Sequence, residues 1–321
     1  MAHATDYKQD SHPTSERAST PLSEIKKKLP LRILSETEFS DWQRFGFTIV
    51  RNAVPKENVE RVKALLWEFE EKDPFDPSTW DTTERRLHPD AFIHNLGMVE
   101  IYNHQYLWDN RMHHRVYDAF VDIWDMEDLW VAIDRANLNT PNTGKRTSKG
   151  FIHWDANTSE VPKPISVQGV LALTHQDSGD MGGFHIVPWL FEHFEEWVKT
   201  QAADRNPHMP DMAGLEDKIQ KLELFPGDLM IFNSLLAHGL APNTSADKVW
   251  MAQFISMFPA EETNQAERAA RIKCWRELEP PARAGFPGDP RNWEKKHAET
   301  AKLTPLGEKL LGSRSWSSRE E

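Results

Sequence analysis

The chain has 321 residues, of which 39% are hydrophobic, and a formal net charge of −12 at pH 7. This length predicts one large domain or two small ones, with enough apolar residues for a sizeable core. Because the charge balance is acidic and no basic stripe is present, the sequence argues against nucleic acid and anionic membrane surfaces as partners.

The first residues form no apolar stretch of the kind found in secretory signals. No apolar run approaches the roughly 20 residues that are needed to span a bilayer. The single cysteine, Cys274, excludes a disulfide within the chain and is typical of a reducing compartment. We therefore expect a soluble cytoplasmic protein.

The polar residues 1–30 have almost no large apolar side chains, so they predict a mobile, disordered tail before an ordered domain that begins at Leu31. Ser35 and Glu38 have the spacing of a capping box, which predicts the start of a helix there. Gly46 is expected to end this helix, and the run Phe47–Val50 predicts a strand.

Pro55 precedes a second predicted amphipathic helix, and a third covers roughly 104–128, after an irregular loop at 73–95. From Leu129 onward the pattern changes to short apolar runs bounded by Gly, Pro, Asn or Asp, which predicts a β-sandwich or β-barrel. These runs are 129–138, 151–155, 165–174, 184–188, 222–225, 229–233 and 248–258. Residues 189–220 are expected to form a helical insertion, and residues 261–321 a helical and irregular extension of the same domain.

Two imidazoles and one carboxylate stand out beside these predicted strands. His153 and Asp155 lie two positions apart, so their side chains share one face of an extended segment. His238 follows the end of another predicted strand, Leu229–Phe232. Two His and one Asp suit a non-haem Fe(II) site with open positions, although zinc would accept the same ligands. Other histidines compete for the role, and the nearest are His175, His185 and His193.

The chain resembles the phytanoyl-CoA dioxygenase superfamily of Fe(II)/2-oxoglutarate oxygenases over roughly residues 31–258. The resemblance rests on four segments: Leu34–Pro55, the triplet His153-Trp154-Asp155, Gly182–Pro188, and Pro226–Ser245 with His238 inside it. It implies a mainly β fold with flanking helices, built on a double-stranded β-helix (a jelly roll, as in cupins) within residues 31–260. It also implies Fe(II), 2-oxoglutarate and O₂ as cofactors, with His153, Asp155 and His238 as the iron ligands.

The sequence departs from the family pattern at two places. An arginine about ten residues after the distal histidine usually binds the far carboxylate of 2-oxoglutarate, and Lys248 stands here instead. Lysine keeps the positive charge but loses the bidentate fork, and we predict that Lys248 is the anchor rather than a surface lysine. After Pro188 the family continues Gly-Ser-His, whereas this chain reads Trp189-Leu190-Phe191, so this side of the pocket is expected to differ.

Five further polar residues are candidates for the pocket. Gln168 lies in a predicted strand and could donate to the cosubstrate carboxylate. Arg135 and Asn137 alternate in another strand, and an inward Arg135 would indicate an anionic ligand group unless it pairs with a protein carboxylate. Asn157 and Thr158 follow Asp155 and either line the mouth of the site or form a turn.

The favoured function is oxidation of a small organic acid, amino acid or secondary metabolite by hydroxylation, desaturation or oxidative cyclisation. The presence of Asp155 argues against halogenation, because halogenases related to this superfamily lack that carboxylate. The alternatives are an acyl-CoA hydroxylase, a metal-dependent hydrolase or isomerase on a cupin-like barrel, and a binding module without turnover. The acidic composition argues mildly against an acyl-CoA, whose phosphates favour Lys and Arg.

Overall fold

The computed structural model describes residues 26–80, 96–142, 144, 150–159, 166–177, 179–282 and 286–317. The α-helices are α1 Glu36–Phe45, α2 Lys56–Phe69, α3 Gln105–Arg111, α4 His114–Trp124, α5 Pro188–Glu192, α6 Phe194–Lys199, α7 Gln265–Glu277, α8 Trp293–His297 and α9 Pro305–Leu311. The strands are β1 Phe47–Val50, β2 Met98–Val99, β3 Leu129–Val131, β4 Ala136–Asn139, β5 Val167–Ala172, β6 Gly183–Ile186, β7 Gln220–Lys221, β8 Leu229–Asn233, β9 His238–Ala241, β10 Trp250–Phe254 and β11 Met257–Pro259.

The start of the domain follows the predicted signals. Ser35 caps α1 and forms a reciprocal capping box with Glu38, and Gly46 ends the helix with φ +78°. A side chain is disfavoured at this φ, and the ring of Phe191 also fills the space that a Cβ would need. The chain therefore turns directly from α1 into β1.

The N-terminal boundary of the domain lies earlier than Leu31. The amides of Lys28 and Leu29 donate to the carboxylate of Asp125 at 2.8 Å, and the Lys27 ammonium donates to the carbonyl of Asp122 at the same distance. Residues 26–30 are thus held against the end of α4 and are not part of a mobile tail. The rest of the predicted tail, residues 1–25, lies outside the described residues.

In the described part of the chain, the strands form three antiparallel sheets. The large sheet has the order β1-β8-β5-β10-β4-β2, the small sheet has the order β7-β6-β9, and β3 pairs with β11. In the large sheet, Gln168 lies opposite Phe232 and Ala252 opposite Asn137. Directly opposed residues lie on the same face of a sheet, and Ala252 also lies opposite Ala172, four positions after Gln168 on β5, so both pairs lie on one face, the inner one.

The inner face of the large sheet packs against the small sheet. Val170, Met230 and Trp250 are buried there with Phe184 and Ile186 of β6. The side chains that alternate with them point to the opposite face, which the helices cover; they include Leu171, Leu229, Ile231 and Met251. Both faces of the sheet are therefore buried, which explains the nearly continuous apolar run of β8.

Of the residues that the structure describes, more lie in helices than in strands. The expectation of a mainly β protein was wrong in this respect, because the core helices α1 to α4 and the C-terminal α7 to α9 add helical layers around the sheets. The predicted helix at 104–128 is broken into α3 and α4. The segment 151–155 forms an isolated bridge at His153 and not a regular strand. Among the described residues, no helix is long and apolar enough to cross a membrane.

We predict that Asp122 is required for stability. It is fully buried on α4, and its carboxylate accepts the amides of Arg32, Ile33 and Leu34 at 2.8–2.9 Å. Replacing it with alanine would leave three amides without this acceptor, and we expect Asp122→Ala to lower the free energy of unfolding by about 3–5 kcal/mol in urea denaturation. Asp118→Ala is the control, because Asp118 forms a partly exposed pair with Arg32; equal losses in the two variants would contradict the prediction.

Candidate metal centre

An antiparallel bridge brings His153 and His238 together from positions that are 85 residues apart. The amide of His153 donates to the carbonyl of His238 at 2.8 Å, and the reverse hydrogen bond measures 2.9 Å. The two imidazole rings lie with their centroids 4.5 Å apart. The bridge places both side chains at the edge of the small sheet where β9 begins.

Asp155 completes the group. Its Oδ1 lies 3.5 Å from Nε2 of His153, and its Oδ2 lies 3.3 Å from Nε2 of His238. One possible ligand atom from each residue lies within 4.8 Å of the others, and this is a group within the described residues that could hold a metal ion. Octahedral bonds of about 2.1 Å place neighbouring ligand atoms about 3 Å apart. The two His–Asp separations of 3.5 and 3.3 Å are close to this spacing.

A hydrogen bond determines which nitrogen of His238 faces Asp155. Nδ1 lies 2.8 Å from the carbonyl of Leu236, an acceptor, so Nδ1 carries the proton. Nε2 therefore faces Asp155, and its lone pair is available to a metal when this nitrogen carries no proton. Phe184 and Phe232 pack against the ring with centroid distances of 5.2 and 4.7 Å, and they hold its orientation.

The carboxylate of Asp155 is buried but charged. Burial raises its pKa, but the neighbouring rings of His238 and His153 outweigh this effect, so the pKa lies well below its usual range. The side-chain amide of Gln168 donates to Oδ2. Gln168 thus contacts a candidate metal ligand, whereas the sequence predicted a contact with the cosubstrate.

Gly239 permits the close approach of the two segments. A Cβ at this position would lie 1.9 Å from the carbonyl oxygen of Phe151 and 3.0 Å from Nε2 of His185. Backbone atoms cannot move aside as a side chain can, so only glycine fits here without separating the bridge. The sequence pattern gave Gly239 no role beyond its place in the His-Gly pair.

The structure does not bring Lys248 to this site. Its side chain is 45% exposed, and its ammonium lies 2.8 Å from Asp177 and 3.3 Å from Asp180. These carboxylates precede β6, and His238 pairs with the other end of that strand, at Ile186. The structure thus has Lys248 in a surface ion pair and not at the predicted anchor position, because two acidic side chains lie beside it where the strands end.

Arg135 points inward but already has a protein partner. Its guanidinium lies 2.7 Å from the buried carboxylate of Glu100 and stacks over the ring of Phe286. Burial lowers its pKa, but Asp134 and Glu100 outweigh this and raise it. The alternative of a protein carboxylate partner is therefore the one observed, and Arg135 gives no evidence for an anionic ligand.

The remaining candidates fall into two groups. Asn137 lies on the inner face of the large sheet; its amide nitrogen donates to the carbonyl of Leu96, and its buried Oδ1 has no hydrogen-bond partner among the described residues. Asn157 forms a turn by accepting from the amide of Ser159 at 3.0 Å. Thr158 is buried and bonds Pro207 and Arg205. Asn137 therefore remains a candidate for contact with a ligand, while Asn157 and Thr158 hold the loop after Asp155.

The rival histidines have other contacts. His175 is close to Glu223 and stacks on Phe225, and His193 bonds the carbonyl of Trp189 within its own turn. His185 lies on the face of β6 opposite Phe184. Burial, together with His238 and Lys221, lowers the pKa of His185 to about 4, so it is neutral at pH 7.

A comparison with known protein families shows to which family this chain belongs. The profile of the phytanoyl-CoA dioxygenase (PhyH) family matches residues 42–249, which contain His153, Asp155 and His238. The chain belongs to the PhyH family. Members of this family are oxygenases that use Fe(II), 2-oxoglutarate and O₂, and these are the predicted cofactors. Two nitrogens and one carboxylate oxygen, converging with an oriented His238, fit the iron.

Individual relatives are more distant. Ava biosynthesis cluster protein O from Aspergillus versicolor is 25% identical over 293 residues, which cover 82% of this chain and 91% of that protein. The GlcNAc-inducible gene 2 protein from Candida albicans has a TM-score of 0.64 at 12% identity, with 95% of this chain and 83% of that chain covered. A putative oxidoreductase from Salmonella typhimurium LT2 has a TM-score of 0.61 at 16% identity, with 87% and 83% covered. At these identities the two structures show a shared fold.

We predict that a methyl group at Gly239 disrupts metal binding. Gly239→Ala must push the carbonyl of Phe151 away from β9, which separates His153 from His238. Titration with Co(II), followed by its visible absorption, is expected to show at least a tenfold loss of affinity. Gly179→Ala is the matched control, because its added methyl would meet only the flexible side chains of Asp177 and Lys248. Wild-type affinity in Gly239→Ala would show that the bridge tolerates the separation.

Proposed function

We propose that the protein is an Fe(II)/2-oxoglutarate-dependent dioxygenase in which His153, Asp155 and His238 bind the iron. The observation that carries this proposal is the convergence of these three side chains at one edge of the small sheet, in a chain of the PhyH family. Three protein ligands leave the other positions of an octahedral ion open for a chelating cosubstrate and O₂.

We infer that the large and small sheets are the two halves of a double-stranded β-helix. The small sheet and the bridge at His153 follow the order β7-β6-β9-His153, and the large sheet contains β8-β5-β10-β4 in its centre. Successive strands alternate between the two sheets over much of this region, as in a jelly roll. This architecture would place the iron at the open end of the pair of sheets.

The protein residues would prepare the site, while the bound cofactors supply the oxidation of a C–H bond. The hydrogen bond to Leu236 keeps Nε2 of His238 available, and the charged Asp155 offsets part of the positive charge of the metal. Gln168, on the inner face of the large sheet, donates a hydrogen bond to the carboxylate of Asp155 and holds it in place. Phe184 and Phe232 exclude water from one side of the His238 ring.

We propose a small organic molecule of secondary metabolism as the substrate. The Aspergillus relative belongs, by its name, to a biosynthesis cluster. Asn137 offers a buried oxygen that has no partner in the part of the chain that the structure describes, and this oxygen would accept a hydrogen bond from a hydroxyl or amide. Glu100 neutralises Arg135, so this part of the inner face suits a neutral group better than an anionic one. The family name makes acyl-CoA hydroxylation the alternative.

The proposed function is tested in two stages. Fe(II) and 2-oxoglutarate are added to the protein without oxygen, and the charge-transfer absorption of the chelated complex is recorded. Air is then admitted with candidate substrates, and succinate release is measured for each. Binding of both cofactors with succinate released in step with substrate loss is expected. Metal binding without succinate from any substrate class would instead support a hydrolase or isomerase.

We predict that Asp155→Ala abolishes succinate release and weakens Fe(II) binding. Its loss removes the only anionic ligand of the proposed set, and metal affinity should fall by at least 100-fold. Asp177→Ala is the control, because this carboxylate lies beyond the far end of the small sheet, beside Lys248. Wild-type turnover in Asp155→Ala would rule out the assigned ligand set.

We also predict that Lys248→Ala leaves the KM for 2-oxoglutarate within about twofold of the wild-type value. An exposed ion pair contributes little, and its removal does not reach the metal centre. The measurement is succinate formation against 2-oxoglutarate concentration at saturating Fe(II). A tenfold or larger rise in KM would mean that the ammonium leaves Asp177 and Asp180 and enters the site when the cosubstrate binds.

A further inference from the structure

The loop that carries Asp155 is held from two sides. On one side, the bridge at His153 joins it to β9. On the other side, it contacts residues 205–208, which belong to the region between β6 and β7 that the sequence identified as an insertion. We call residues 205–208 the brace. The amide of Trp154 donates to the carbonyl of His208 at 2.8 Å, and the amide of Thr158 donates to Pro207 at 3.1 Å.

Arg205 makes the most specific contact of the brace. One arm of its guanidinium donates to the hydroxyl of Thr158 at 2.7 Å, and the other donates to the carbonyl of Thr158 at 2.8 Å. The Thr158 hydroxyl in turn donates to the carbonyl of Pro207. This fork fixes both the backbone and the side chain of one residue, which a single point charge cannot do.

Aromatic rings hold the guanidinium in place. Its carbon lies 5.7 Å from the ring of Trp197, 5.9 Å from Phe194 and 6.0 Å from Trp154. Trp197 and Phe194 belong to α6 of the insertion, while Trp154 immediately precedes Asp155. The insertion therefore contacts the metal loop through cation–π attraction as well as through hydrogen bonds.

We propose that Arg205 and the brace position Asp155 for metal binding. Asp155 lies between Trp154 and Thr158, and the brace binds both of these residues. A carboxylate that is confined in this way loses less conformational freedom when it binds an ion, so the brace raises metal affinity without touching the metal. Arg205 is thus a positioning residue. This proposal rests on the assignment of Asp155 as a metal ligand.

The test measures metal affinity and loop order separately. Co(II) affinity and absorption are recorded for wild type, Arg205→Ala, Arg205→Lys and Thr158→Val. Amide hydrogen exchange of residues 154–158 is measured in the metal-free proteins. We expect Arg205→Ala and Thr158→Val each to weaken Co(II) binding by about 10–100-fold and to speed exchange in this loop. The Co(II) affinity of Arg205→Lys should lie between those of wild type and Arg205→Ala, because lysine keeps the positive charge among the rings but loses the two-pronged hydrogen bonding of the guanidinium.

Two comparisons make the result decisive. Arg44→Ala is the matched control, because Arg44 pairs with Glu192 of α5 on the outside of the insertion. Combining Arg205→Ala with Thr158→Val should cost less than the product of the single losses, since both remove one contact. Wild-type Co(II) affinity and loop exchange in both single variants would overturn the proposal, as would equal losses in Arg44→Ala. Thr158→Val decides the question if Arg205→Ala does not fold.

The same data separate this proposal from the assignment on which it rests. If Asp155→Ala binds Co(II) as tightly as wild type, the ligand assignment fails. If Asp155→Ala loses the metal while Arg205→Ala and Thr158→Val retain wild-type affinity, the ligand set stands and the positioning role of the brace is rejected.

Discussion

The metal centre depends on the pair of backbone hydrogen bonds between His153 and His238. These two bonds, 2.8 and 2.9 Å long, join a segment without regular strand structure to the first residue of β9. They make the imidazole rings of two residues that are 85 positions apart in the chain into neighbours. Such a contact becomes favourable only after the sheets have formed, because closing so long a loop costs entropy that two hydrogen bonds alone do not offset.

The residues around this contact allow the two segments to approach and orient the candidate metal ligands. Gly239 leaves room for the carbonyl of Phe151, so the segments can approach. Leu236 selects the proton position on His238, and Gln168 reaches Asp155 from the large sheet. A carboxylate in this environment remains charged although it is buried, since the imidazoles outweigh the cost of burial. The candidate ligands are therefore oriented by elements from both sheets.

The large sheet provides the rigid support for this arrangement. Its outer face packs on the helices, and its inner face packs on the small sheet. Because both faces are covered, the sheet cannot bend without disturbing this packing. The insertion adds a third contact with the metal loop, through Trp154 and Thr158. Loops that carry binding groups are usually the mobile parts of a domain, and here the backbone bonds on both sides of Asp155 restrict that mobility.

The sequence alone determined the local elements and the identity of the candidate ligands. The capping box at Ser35, the end of α1 at Gly46 and the strand 229–233 were predicted with these residues. They depend on interactions between positions close in the chain, which periodicity and turn chemistry reveal. The set of His153, Asp155 and His238 was found by its residue types and by family resemblance.

Only the tertiary structure decided the partners of the charged and polar side chains. Lys248 pairs with Asp177 and Asp180 at the surface, although we predicted it to bind the cosubstrate. Arg135 pairs with Glu100, which is one of the alternatives that the sequence left open. These ion pairs join residues that are distant in the sequence and become neighbours only when the chain folds. No short-range sequence pattern predicts which charged residues will be neighbours. The contact of Arg205 with Thr158 has the same origin, since it joins positions 47 residues apart that only the packing of the insertion brings together.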